Sequence, residues 1–295
     1  MRPDFIGIGA QKAGTSWIYA CLDDHPDIHV PIKEIHFFSK DDVHARGLDW
    51  YERNFAGRKE GQVSGEFSTT YLHSRPALER IAKAFPDIKI IVSLRDPIAR
   101  AKSHFGNDLK AGLIPRDAEL ADIFDSRPDY VERGFYADSI GWLFDNFGRH
   151  RVLVLVLEDS YEDPEAFVAG IYRFLGVDEN FRPRALHQRI NVSEVPRSLA
   201  LGRFYDRVSA ALRAAGLGAI LRFLRHVGVI EFLRGLNRAR KGGTEGIAAS
   251  GADRVPEWKP ELVARLEEDR RALEKLLGRG LDFWTSRQLA EKMNS

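Results

Sequence analysis

Three runs, Phe5–Ile8, Ile88–Leu94 and Val152–Leu157, are short, rich in β-branched residues and almost free of charge, and helical patterns separate them. A strand that is apolar on both faces has to be covered on both faces, which is the condition of a parallel sheet clothed by helices. The helical stretches Thr15–Leu22, Arg75–Phe85, Pro97–Lys110 and Pro164–Leu175 fill the intervals, and the last stops at Gly176, a residue suited to ending a helix. Strand, helix, strand, helix predicts an α/β fold, a doubly wound parallel sheet flanked by helices with right-handed crossovers. At 295 residues the chain can form one large domain of this kind, and residues 1–295 are read as such.

Residues 198–250 break the pattern. Arg, Leu, Ala and Gly dominate there, and no strand signature appears. From 197 to 241 ten Lys and Arg face only Asp206 and Glu231, a local charge of +8. This predicts a basic helical insertion near 197–250, serving as a lid or an acceptor-recognition element. A Gly/Ser/Ala-rich stretch, 242–251, then leads to a final amphipathic helix from Pro260 to Leu277. Over the whole chain 44 Lys+Arg against 43 Asp+Glu leave +1, so no global field recruits nucleic acid, and any anion site must be local. The single cysteine, Cys21, excludes an intramolecular disulfide and a cysteine-based zinc site, and suits a reducing compartment, the cytoplasm. The N-terminus enters a strand at once, where a signal peptide would carry a longer apolar region. The longest apolar run, Val152–Leu157, has six residues, against the ~20 needed to span a bilayer.

The segment Gly9-Ala10-Gln11-Lys12-Ala13-Gly14-Thr15-Ser16-Trp17 follows a strand and opens a helix. Free N–H groups at a helix N-terminus, with the helix dipole behind them, favour an anion. Gly9 and Gly14 keep the G-x-x-x-x-G spacing of a nucleotide phosphate loop, but Thr15 stands where that motif has its lysine, and the lysine lies inside the loop as Lys12. A triphosphate requires that lysine together with Mg²⁺ and an acid to hold it. The loop here suits a single 5′ phosphate group without a metal.

A second segment, Ile90 to Phe105, delivers Arg95 at the carboxyl end of a buried strand, with Pro97 opening a helix that carries Ser103 and His104. Ligands of open α/β sheets bind at the carboxyl ends of strands, so Arg95 and the Lys12 loop should share one crevice. Arg95 then suits a bidentate phosphate contact with Ser103 as a further donor; pairing of Arg95 with Asp96 or a surface acid is the alternative.

Together these segments resemble the 5′- and 3′-phosphate-binding motifs of sulfotransferases that use 3′-phosphoadenosine 5′-phosphosulfate (PAPS). Lys33-Glu34-Ile35-His36-Phe37-Phe38 and Gly65-Glu66-Phe67-Ser68-Thr69-Thr70-Tyr71 resemble the branch acting on glycans, the heparan sulfate N- and O-sulfotransferases and their bacterial relatives. A further, weaker match runs from Tyr136 to Glu158, with Asp163-Pro164 and Phe174-Leu175-Gly176 beyond it. The resemblance covers about residues 5–196 and resumes near Trp258 to Trp284. Phe67 stands where the glycan enzymes carry a lysine near the acceptor. The resemblance implies a P-loop-like doubly wound domain, PAPS as co-substrate without a metal, and a saccharide or small-molecule acceptor.

It also implies the residue roles. Glu34 becomes the base that takes the acceptor's proton, its carboxyl raised by the apolar Phe37 and Phe38 beside it; a solvated Lys33–Glu34 pair is the competing reading. His36 is an alternative base, pointing the same way as Glu34 if the segment is a regular strand. Lys12 would stabilise charge on the departing nucleotide, and the backbone N–H groups of Ala13 to Trp17, with Gln11 and the hydroxyls of Thr15 and Ser16, would hold the 5′-phosphate. Trp17 also reads as helix core packing. Glu66 and Tyr71 either orient Lys12 or the acceptor, or form a buried hydrogen-bonded pair. His104 is carried on the acceptor side, with a structural role as the alternative. Arg240-Lys241-Gly242-Gly243 resembles the loop that closes over the nucleotide. Two other classes stay open at this level, a P-loop kinase using ATP and Mg²⁺, and a non-catalytic nucleotide-binding protein.

Overall fold

The computed structural model describes residues 1–115, 118, 120, 126–188, 258–285 and 287–289. The basic insertion and the Arg240–Gly243 loop lie outside the described residues. The backbone divides into two compact units, one of Met1–His104, Phe124–Asn191 and Glu257–Ser295, the other of Phe105–Ile123 and Val192–Pro256.

The first unit is built on five parallel strands, β1 (Phe5–Gly9), β2 (Ile28–His29), β3 (Val63–Phe67), β4 (Lys89–Leu94) and β5 (Val152–Val156), in the order β2-β3-β1-β4-β5. After the central β1 the chain moves outward through β2 and back to β3, then crosses β1 to lay down β4 and β5. The order therefore reverses at β1, and the crevice at its carboxyl end is the place where such sheets bind ligands.

The period of two along each strand divides the core. Ile6 and Ile8 of β1 with Ile90, Val92 and Leu94 of β4 face α4 (Arg75–Ala84), α7 (Ala137–Phe147) and Leu273 of α10 (Pro260–Leu277). Phe5, Phe67 and Ile91 face the other way, onto α1 (Thr15–Asp24) and α9 (Pro164–Leu175). Helix starts follow local chemistry: Ser74 caps α4 ahead of Pro76, and Asp163 caps α9 ahead of Pro164. Glycines in left-handed geometry, Gly176 and Gly278, end α9 and α10.

Short helices α2 (Asp41–His44), α3 (Leu48–Arg53), α6 (Asp129–Glu132) and α8 (Asp159–Glu162) complete the connections, and α5 (Pro97–Ala111) follows β4. No helix among the described residues is long and apolar enough to cross a membrane.

Candidate functional site

Gly14 caps α1 with φ 74°, and no side chain satisfies the helix start. That left-handed residue has to be glycine on a second ground, because a Cβ there would stand 2.4 Å from Leu157 Cδ1. Three bonds tie the loop ahead of it to β4 and the residue beyond. Ala10 N donates to Ser93 O at 2.6 Å, Ser93 Oγ donates to Ala13 O at 2.6 Å, and Arg95 Nη1 donates to Lys12 O at 3.1 Å.

Fewer amides are left open at this loop than the sequence suggests. Ala13 N donates to Ala10 O at 3.3 Å and Trp17 N to Gly14 O at 2.9 Å, because the loop closes on itself and the helix begins with a tight turn. The set narrows to Gly14, Thr15 and Ser16 at the first turn of α1. Trp17 takes the packing role: its indole lies 5.6 Å from the Phe167 ring and donates to the carbonyls of Ala185 and Leu186 at 3.1 and 3.2 Å.

Arg95 does not pair with Asp96. One Asp96 oxygen caps α5 by accepting from Ile98 N at 2.8 Å, and the other accepts from Thr285 N at 2.7 Å and from the Thr285 hydroxyl. Arg95 Nε is buried with no hydrogen-bond partner among the described residues. Ser103 follows two turns along α5. His104 is buried against the Tyr130 ring, 4.4 Å between centroids, which is the structural alternative.

More cations gather here than the motifs announced. Arg133 donates to Gln11 Oε1, so guanidinium groups grip two successive loop residues. Arg100 is 0% exposed; one nitrogen donates to Tyr130 O, while Nε and Nη1 have no hydrogen-bond partner among the described residues. Burial pulls the Arg100 guanidinium below its ordinary value, and Arg133 and Arg95 add to this against Tyr136 and Asp129. Burial, then Arg100 and Arg133, push His73 down to about 3, so its ring is neutral at physiological pH. Tyr136 OH donates to Arg95 O at 2.9 Å, which places the Tyr136 segment across the same loop.

On the other side of β1 the segment after β2 lies against the end of β3, with Glu34 N donating to Phe67 O at 2.7 Å. The Glu34 carboxylate accepts from Thr69 N and Thr69 Oγ1, both at 3.0 Å, and from Lys33 Nζ at 3.1 Å. Its side chain is 29% exposed. The apolar surroundings expected of it are absent, because Phe37 and Phe38 turn into the core against Tyr51 and Tyr71.

The segment is not a regular strand either: Glu34 and His36 both have left-handed φ, 63° and 57°. That irregular backbone still brings His36 Nε2 to 3.5 Å from Glu34 Oε2. His36 Nδ1 lies 3.0 Å from Thr70 Oγ1. Burial, opposed by Glu34 and assisted by Lys40 and Lys33, holds His36 below its ordinary value.

Glu66 and Tyr71 form the buried pair. Tyr71 OH donates to Glu66 Oε1 at 2.9 Å, Tyr51 OH to the same oxygen at 3.2 Å, and Ser68 Oγ to Oε2 at 2.6 Å. Burial pushes Glu66 up to about 7, against the pull of those three hydroxyls. Phe67 packs edge-on to Phe5 over Gly7, where a Cβ would come 2.1 Å from the Phe67 ring. A lysine would have to be buried at this position, and its place is on the core side of β3.

Sequence reasoning missed Arg133, Arg100, His73, Ser68 as a bridge and Thr69 as the holder of Glu34. The Ser-Thr-Thr run beside Glu66 was the one local signal, a cluster of hydroxyls next to a buried acid; the arginines and His73 have no local signal.

A family profile described as Sulfotransferase domain matches residues 2–194. Human heparan sulfate glucosamine 3-O-sulfotransferase 3B1 is 30% identical over 182 residues, 59% of this chain and 46% of that protein. Mouse heparan sulfate glucosamine 3-O-sulfotransferase 5 is 34% identical over 103 residues, 35% of this chain and 30% of that protein. The matches thus span about half or less of the length of these curated relatives. The crystal structure of a sulfotransferase from Alicyclobacillus acidocaldarius aligns with a TM-score of 0.66 and 25% identity, covering 97% of this chain and 99% of that one.

Proposed function

The chain belongs to the sulfotransferase family, and from that membership we propose that it moves the sulfuryl group of PAPS to a hydroxyl or amine of a saccharide or small-molecule acceptor. The observation that carries this reading is the bond from Arg95 to the Lys12 carbonyl, which joins the two phosphate segments at one crevice. The open N-terminus of α1 suits the 5′ group, with Gly14, Thr15 and Ser16 as amide donors. The unfilled donors of Arg95 and Arg100 suit the 3′-phosphate, since a buried guanidinium without an anion is costly.

In the transfer the acceptor oxygen or nitrogen attacks sulfur in line with the bond to the 5′-phosphate oxygen. That bond breaks with its electron pair on the nucleotide, where Lys12 offsets the charge. The acceptor's proton goes to Glu34, which Thr69 and Lys33 hold in place. His36, 3.5 Å away, stands ready as an alternative acceptor of that proton.

Calorimetric titration with the desulfated product, 3′-phosphoadenosine 5′-phosphate (PAP), against adenosine 5′-phosphate tests the nucleotide half. A clear preference for the 3′-phosphorylated form is expected, and equal affinity would overturn it. Incubation with sulfur-labelled PAPS and a panel of saccharides, amino sugars and phenols reads the transfer itself.

A further inference from the structure

Glu66 is the most deeply buried acid near the crevice, 0% exposed on β3, and all three of its hydrogen bonds come from hydroxyl groups. Tyr51 and Tyr71 share Oε1, which leaves Oε2 to Ser68 alone. Ser68 has one proton, and it donates that proton to Glu66. Its lone pair then accepts from His36 N at 2.9 Å.

His36 and Glu34 sit in left-handed backbone, a geometry that strains non-glycine residues and persists only where the surroundings enforce it. Beside the side-chain bonds from Thr69 and Thr70, two bonds from the end of β3 hold the backbone N–H groups of this turn: Phe67 O on Glu34 N, and Ser68 Oγ on His36 N. Only the second has an orientation that can change, because a hydroxyl rotates and a peptide carbonyl does not.

We propose that Glu66 is a positioning residue for the transfer reaction, fixing the Ser68 hydroxyl so that it anchors the turn holding Glu34 and His36. The proposal rests on the assignment of Glu34 as the proton acceptor. With Glu66 ionised, the Ser68 proton is committed to Oε2 and its lone pair to His36 N–H. A protonated Glu66 becomes a donor toward Ser68, the hydroxyl must turn, and the anchor weakens.

The groups that face Glu66 are Tyr51 from α3, with Glu52 behind it, Tyr71 and Ser68 from the loop after β3, and Glu34 from the segment after β2. Glu34 in turn meets Lys33 and His36. Among these, Glu34 adds to the burial that lifts Glu66 to about 7. The anchor is therefore complete above about pH 7 and weakens below it.

Glu66→Gln tests this, because glutamine keeps the shape and can accept from both tyrosines while losing the acceptor for Ser68. Two readouts apply: the NMR titration of the His36 ring, assigned by its loss in His36→Gln, and the pH profile of turnover. In the unmodified protein the His36 resonance should show an inflection near pH 7 beyond its own titration, and turnover should fall as pH drops through that point. In Glu66→Gln both features should vanish, and turnover should fall roughly ten- to a hundredfold with PAP affinity unchanged. Ser68→Ala, which leaves Glu66 with its two tyrosines, should do the same and guards against misfolding of the first variant. Coincident His36 curves and pH profiles in the variants and the parent would overturn the proposal. The NMR arm needs neither nucleotide nor acceptor, so it stands even if PAP fails to bind, a result that would count against the sulfotransferase reading instead.

Discussion

Arg95 Nη1 donates to the carbonyl of Lys12 at 3.1 Å, so the arginine that closes β4 also braces the crest of the loop that follows β1. Lys12 has φ 71°, and Gly14 two residues on has φ 74°. A loop with two left-handed residues keeps its shape only if tied from outside, and β4 supplies the ties through Ser93 as well as Arg95.

Arg95→Ala should therefore act twice. Losing a half-buried, bidentate-capable phosphate contact costs on the order of 2 kcal/mol, which appears as a lost preference for PAP over adenosine 5′-phosphate. Losing the brace should also weaken binding of adenosine 5′-phosphate itself, by a smaller factor. Arg95→Lys should restore the brace better than the preference. If the alanine variant still prefers PAP as strongly as the parent, the 3′-phosphate is held by Arg100 and Arg133 without it.

Gly14→Ala should be damaging out of proportion to one methyl group. The left-handed backbone costs roughly 1–2 kcal/mol for an L-residue, and the added Cβ would meet Leu157 Cδ1 at 2.4 Å. A melting temperature lower by about 3–8 °C and a marked loss of PAP affinity are expected in thermal scans and calorimetry. An alanine variant that melts with the parent and binds PAP equally well would show that the loop has another conformation available.

What could be read from the sequence was local. β1, β4 and β5 are legible because each is apolar on both faces, and the phosphate loop because one of its glycines ends a strand and the other opens a helix. β3 is not legible as a strand: it reads Val63-Ser64-Gly65-Glu66-Phe67, and the polar members are tolerated because His29 O accepts from the Ser64 hydroxyl while Tyr51 and Tyr71 donate to Glu66. β2 has two residues and no periodicity to detect. The surroundings of Glu34 differ from the sequence expectation for a related reason. Phe37 and Phe38 are its sequence neighbours, but its carboxylate is held by Thr69, thirty-five residues away. Arg133 meets Gln11 across 122 residues, and no pattern within either segment announces the other.

His73 predicts an acid-labile protein. In the unfolded chain a histidine titrates near 6.5, whereas here it is held at about 3. Below pH 6.5 the unfolded state takes up a proton that the folded state refuses, so stability falls as pH drops from about 6.5 toward 3, by up to about 1.4 kcal/mol per pH unit. Above 6.5 this group contributes no pH dependence. Denaturant unfolding at several pH values should show that slope in the parent and a shallower one in His73→Gln. Identical slopes would mean that His73 is readily protonated in the folded state, against the burial and the two arginines that oppose it.

Glu34→Gln separates the proton acceptor from its neighbours. Glutamine can still accept from Thr69 through its one oxygen, so the turn and the nucleotide site should survive and PAP affinity should stay unchanged. What it cannot do is take the acceptor's proton, and turnover should fall roughly 10²–10⁴-fold, the usual contribution of general base catalysis. His36→Ala should cost far less, because burial holds that ring below its ordinary value, which makes it the weaker base, and its Nδ1 is engaged beside Thr70. The comparison calls for an acceptor of high pKa, since an acceptor already anionic at the working pH has no proton to lose. A glutamine variant within a few-fold of the parent, alongside an inactive His36→Ala, would move the proton-accepting role to His36 and leave Glu34 as the carboxylate that orients it.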